Sequence, residues 1–130
     1  MPWNNSYLAD LDAIVTVYSG VLSAETLLEA IQSTLTLARQ HGTKNFLADC
    51  STLEGGHSVV NLYELAKLLE TAAIPMDFRE AIVLPQLDAP ASDVRFWETT
   101  CRNRGFDVRV FKTVVDATAW LVESTLGKTV

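Results

Sequence analysis

A chain of 130 residues suits a single domain spanning residues 1–130, long enough to bury about two-thirds of its unfolded surface. A hydrophobic content of 48% with a positive mean hydropathy excludes disorder, and no apolar run approaches the roughly 18 residues of a membrane span. A formal net charge of −6 repels nucleic acid and anionic lipid, so binding phosphate would need a local basic patch. No Lys or Arg precedes Arg39, so the N-terminus does not read as a signal or transit peptide. Two cysteines, Cys50 and Cys101, are too few for a disulfide framework and suit a reducing compartment. The expectation is a cytoplasmic protein.

In chain order, Trp3–Ala9 predicts an edge strand, with Pro2 tolerated at its start. Asp10-Leu11-Asp12 supplies turn chemistry, and the β-branched run Ala13–Tyr18 predicts a second strand, antiparallel to the first across so short a turn. Ser23 is placed as an N-cap, with Glu25 in the first helical turn. Leu27, Leu28, Ile31, Leu35 and Ala38 then recur at helical spacing until His41-Gly42. Asn45–Ala48 predicts a buried strand and Cys50–His57 a loop. A second helix runs from about Ser58 to Ala73, stopped by Pro75, and Arg79–Leu84 is a third core strand ended by Pro85. Ser92 or Asp93 caps a third helix whose Val94, Trp97 and Cys101 share a face. Gly105 ends it, Asp107–Phe111 is the last strand, and Thr113 caps a last helix that buries Trp120 and Leu121. The order β-β-α-β-α-β-α-β-α predicts an α/β domain: a mostly parallel five-stranded sheet with an antiparallel N-terminal edge strand and four helices.

Ligands of parallel sheets meet the loops at the carboxyl ends of the strands. The richest such segment is Asp49-Cys50-Ser51-Thr52-Leu53-Glu54-Gly55-Gly56-His57-Ser58. Its glycines allow close backbone approach, and Ser58 opens a helix whose free N–H groups favour an anion; a plain turn and N-cap explain the same residues more simply. A P-loop and a dinucleotide fingerprint are both absent. Cys50 and His57 are a thiolate–imidazolium pair only if folding brings them together, and a free cysteine ending a buried strand is ordinarily a small core residue. His41 and His57 sit on different loops, and neither cysteine has a Cys-x-x-Cys partner, so no metal site is expected. Arg95, Arg102, Arg104, Arg109 and Lys112 concentrate in the C-terminal third, where a solvated face accounts for them better than a phosphate patch.

The second helix is apolar almost all round, including Val59, Leu62, Tyr63, Leu65, Leu68 and Leu69. A helix on a sheet needs only one apolar stripe, so core packing, a homodimer surface or a pocket must cover the rest.

Three segments carry a family resemblance: Ile14-Val15-Thr16-Val17-Tyr18-Ser19-Gly20 before the Ser23-Ala24-Glu25 helix start, Phe46-Leu47-Ala48-Asp49, and Gly105–Phe111 through Ala119-Trp120-Leu121. The chain resembles a STAS domain, named for sulfate transporters and anti-sigma-factor antagonists, and more narrowly the bacterial SpoIIAA-like proteins of unassigned function. In antagonists of that family, an Asp-Ser-(Ser/Thr)-Gly segment holds a serine that a partner kinase phosphorylates. Here only Ser58 in Gly55-Gly56-His57-Ser58-Val59 matches the serine, without the preceding Asp or the following Gly. The missing catalytic constellation together with the overly apolar helix points to a non-enzymatic STAS-like module that binds a protein partner or itself through the second helix and the loop before it. The expected binding elements are the loop residues Asp49, Ser51, Glu54, Gly55, Gly56 and His57 and the helix residues Leu62, Tyr63, Leu65 and Leu69. Shared architecture with CRAL-TRIO domains implies the alternative, a small nonpolar, lipid-like ligand between helix and sheet. Neither catalytic residues nor a cofactor are expected.

Overall fold

In the computed structural model the described residues are 3–55, 64, 65, 67 and 77–128. Alternating β-branched runs and amphipathic stretches resolve into β1 (Trp3–Leu8), β2 (Ala13–Val21), α1 (Ala24–His41), β3 (Asn45–Gly55), β4 (Arg79–Val83), α2 (Asp88–Asn103), β5 (Asp107–Phe111) and α3 (Val114–Lys128). The sheet has the order β1-β2-β3-β4-β5, antiparallel between β1 and β2 and parallel elsewhere. Of the four predicted helices, these three are described. The predicted Ser58–Ala73 helix falls mostly outside the described residues, although Glu64, Leu65 and Lys67 are helical.

This order explains how the two faces are covered. Each parallel crossover steps one strand in the same direction, so right-handed connections put their helices on the same side. α1 and α2 therefore share the first face, over a core that includes Ile14, Tyr18, Leu22, Phe46, Cys50, Leu53, Leu65, Ile82, Val94, Cys101 and Val108. α3 follows the last strand and covers β3, β4 and β5 from the second face, where Ala13, Leu47, Ala81, Val83, Ala117 and Leu121 are buried. Leu121 is fully buried as expected, whereas Trp120 is half-buried and lies against Phe111.

Local chemistry sets the helix ends. Ser23 Oγ accepts the Thr26 N–H at 3.2 Å, and Gly42 takes the left-handed conformation at φ 66°, its N–H reaching Ala38 O. Thr113 Oγ1 accepts the Asp116 N–H at 3.1 Å, the predicted cap of the last helix. The start of α2 differs from expectation: it begins at Asp88, not after Ser92 or Asp93, with Leu87 at the cap position and no side-chain cap bond. Pro90 is tolerated there because first-turn N–H groups have no intrahelical acceptor anyway.

The larger correction concerns β3. Cys50–Gly55 is strand, not the expected loop, and β2 runs on beside it to Val21. Ser19 pairs with Thr52, Gly20 with Leu53 and Val21 with Gly55, through two register shifts. The first shift places three residues of β3 opposite two of β2, so Cys50 and Leu53 both turn into the first-face core despite their spacing. A bulge interrupts the period-two signal, which is why Ser51-Thr52 read as a break.

Candidate functional site

The residues expected to bind at the carboxyl ends of the strands are held firmly where they are described. Asp49 Oδ1 accepts hydrogen bonds from the Ser51 N–H at 3.0 Å and the Ser51 hydroxyl at 2.7 Å. Thr52 donates to Tyr18 O at 3.1 Å, and the Leu22 N–H to Gly55 O at 2.7 Å, tying the ends of β2 and β3 together. Glu54 is exposed, and Val21 beside Gly55 is 70% exposed, a large fraction for a valine within a strand. Gly56, His57, Ser58, Leu62, Tyr63 and Leu69 lie outside the described residues. Leu65 is 9% exposed and packs into the first-face core, so ordinary interior contact accounts for this part of the apolar helix.

Cys50 is buried among that core. Burial, then the Glu80 and Asp49 carboxyls, push its thiol well above the ordinary range. Cys101 is fully buried on α2, its thiol likewise raised by burial and by Glu80, with Arg104 opposing. Such thiols are poor nucleophiles at neutral pH, because the thiolate is the reactive form.

The structure brings together a second set of residues that the periodicity did not single out. Between α1, α2 and the first face lie two small cavities, of about 80 and 50 Å³. Both are lined by Tyr18, Ile31, Ala48, Glu80 and Trp97. The first adds apolar side chains such as Leu27, Ile82 and Val94, together with Cys50 and Asp93; the second adds Thr16 and Thr34. Glu80 is the unusual member. It stands on the inward side of a central strand, largely enclosed by protein, and lines both cavities. Its Oε1 accepts the Trp97 indole N–H at 3.1 Å. Burial raises the Glu80 carboxyl to about 7, with the Trp97 hydrogen bond opposing the shift. Tyr18 is held well above its usual range by burial, then by Cys50 and Glu80. One sequence signal existed: Arg79-Glu80 are two charges on adjacent positions of a strand destined for the middle of the sheet, so each faces one covered side.

Arg79 takes the other side. Its guanidinium stacks on the Trp120 ring at 4.0 Å and its Nε donates to Asp107 at 3.1 Å. Two basic residues of the C-terminal third stand on different elements, Arg109 on β5 and Arg104 after α2. Arg109 is half-exposed beside Asp107, and Arg104 donates to Thr100 O.

An antiparallel edge pair feeding a parallel sheet in sequential order, with helices on both faces, defines a SpoIIAA-like fold, the class the sequence resembles. A solved structure with this architecture is an uncharacterized protein from the DUF3478 family with a SpoIIAA-like fold, from Shewanella loihica PV-4. It is 21% identical, covers 92% of this chain and 91% of its own, and superposes with a TM-score of 0.56. No family model and no curated protein matches the chain. Among the described residues, no helix is long and apolar enough to cross a membrane.

Proposed function

We infer that the chain is a non-enzymatic, cytoplasmic binding module that engages a protein partner or a second copy of itself. The contact would use the carboxyl-end rim of β2 and β3 and the segment that follows. The observation that carries this reading is the rim itself. Val21 is 70% exposed beside Gly55 and the exposed Glu54, on strand ends fixed by the Leu22–Gly55 and Thr52–Tyr18 hydrogen bonds. A rigid rim with an exposed apolar residue loses little conformational entropy on contact. Asp49 and Ser51, hydrogen-bonded to each other on the same strand, supply polar groups, and Ser58 stands as a phosphorylation candidate where added charge would switch the contact. Buried, protonated thiols at Cys50 and Cys101 argue against covalent chemistry at the same place.

A photo-cross-linking residue installed at Val21 tests the reading in cells. It should give a discrete adduct whose mass identifies a partner or a second copy. The same residue at the exposed Thr36 on α1 should give none. Equal yields at both positions, or none at Val21, would remove the rim from consideration.

A second reading has its own observation, the cavities around Glu80. At about 80 and 50 Å³ they lie far below the roughly 300 Å³ of ordinary ligand pockets, so they suit a small molecule rather than a long acyl chain. Native mass spectrometry of freshly purified protein would show such a molecule as a stoichiometric mass increment lost on denaturation.

A further inference from the structure

We propose that the cavity around Glu80 takes a small primary alkylammonium ion, with its ammonium group at the second carboxyl oxygen of Glu80 and its hydrocarbon part among Leu27, Ile82 and Val94. The inference rests on the small-molecule reading and adds the charge and shape of the occupant.

Three observations converge. First, the ionisable lining has one sign. Glu80 and Asp93 are acidic, Tyr18 and Cys50 are held protonated, and no Lys, Arg or His lines either cavity among the described residues. An anion would meet the Glu80 carboxyl in a poorly solvated space, where Coulomb repulsion is strengthened. Second, Glu80 is half-satisfied. Trp97 donates to Oε1, while Oε2 has no hydrogen-bond partner among the described residues. A buried carboxylate gains most from a donor that is also a cation. Third, the rest of the lining matches an organic cation better than a hydrated metal. Apolar side chains dominate, and the aromatic rings of Tyr18 and Trp97 suit a cation with a hydrocarbon body. An engineered cavity of about 150 Å³ holds benzene, so adjoining spaces of about 80 and 50 Å³ suit a chain of about four carbons.

Binding should follow the ionisation of Glu80. The titratable and charged groups around it among the described residues are Tyr18 from β2, Cys50 from β3 with Asp49 beside it, and Asp93 and Cys101 from α2 with Arg104 beyond. α1 contributes Ile31, Thr34 and Leu35, none of which titrates. The raised Tyr18 and cysteine groups keep their protons near neutrality, and an alkylammonium stays charged below about pH 10. Affinity therefore rises about tenfold from pH 6 to pH 8, as the ionised fraction of Glu80 grows.

The test is an NMR titration of the full chain with n-butylamine hydrochloride, 1-butanol and sodium butyrate, at pH 6 and pH 8 and constant ionic strength. The amine should shift the Trp97 indole N–H and the Ile82 and Val94 methyls saturably. It should bind more tightly at pH 8, the alcohol should bind more weakly, and butyrate not at all. In Glu80→Gln, binding of the amine should fall to that of the alcohol and lose its pH dependence. If amine and alcohol bind the wild type alike at pH 8, the cation assignment is wrong and the small-molecule reading stands. If none of the three shifts these resonances at either pH, both fall. The pH comparison needs only wild-type protein, so the outcome does not depend on the folding of the variant.

Discussion

Glu80 occupies a position where its charge opposes folding. In the unfolded chain its carboxyl ionises near 4.5, whereas in the folded protein burial raises it to about 7. Below pH 4.5 both states are protonated and the group contributes nothing. Between about pH 4.5 and 7 the folded state keeps a proton that the unfolded state has lost, so stability falls as pH rises. Above pH 7 the full penalty applies, about 3 kcal/mol. Glu80→Gln keeps the shape and can still accept from Trp97, but it does not titrate. It should match the wild type near pH 4.5 and exceed it by about 3 kcal/mol at pH 8 in urea unfolding. A constant difference across that range would show that Glu80 does not carry the titration. A group that lowers stability at neutral pH is a reasonable place to look for function, since sites commonly sacrifice stability in this way.

At the scale of elements, ends and edges carry much of the specification. Glu98 on α2 reaches across to accept the Val110 N–H at 3.0 Å, satisfying a backbone donor on edge strand β5. Toward the opposite edge of the same face, α1 is keyed to β1 and β2 by polar contacts. Asn5 donates to Ser33 at 3.0 Å, and Thr16 meets Thr34 at 3.0 Å. Gly42 ends α1 at φ 66°, and a Cβ there would meet nothing within 4 Å. Gly42→Ala therefore tests backbone conformation without a clash. It should lower stability by about 1 kcal/mol in denaturant unfolding and leave the folded spectrum unchanged. Such ends were legible in the residues because caps are local: Ser23, Gly42 and Thr113 each act within a few residues of themselves. The continuation of β3 through Ser51 and Thr52 was not legible, because its bulges exist only against β2.

Across the whole molecule the two faces are held differently. The first has α1 and α2 over a broad apolar cluster, whereas among the described residues α3 alone covers the second. That helix is joined to the sheet by apolar contact and by Arg79, which lies between β4 and Trp120 with Asp107 as its partner. The Arg79 side chain is only 8% exposed, and its Nη1 is buried without a hydrogen bond. Removing the counter-charge would leave a nearly buried guanidinium unpaired. Asp107→Ala should lower stability by about 1–2 kcal/mol, less than for a fully buried pair because Asp107 is 41% exposed. In an Arg79→Met background the same substitution should have little effect. Additive losses in thermal unfolding of the double variant would mean that the two residues act independently.

Sequence by itself determined the order of the elements, the antiparallel first pair, the parallel remainder and most helix ends. These follow from periodicity, turn chemistry and capping, which operate over a few residues. It also pointed to Asp49–Ser58 as the segment at the carboxyl end of a central strand, although it read Cys50–Gly55 as loop rather than strand. Only the tertiary structure decided that Cys50 lies in the core, that β2 and β3 extend together past Tyr18, and that Leu65 is taken up by the interior. Only it gathered Tyr18, Glu80 and Trp97, from β2, β4 and α2, around one space. The physical reason is range. A pattern along the chain tells which side a residue faces, but the charge, solvent access and neighbours of that side come from segments far away in sequence.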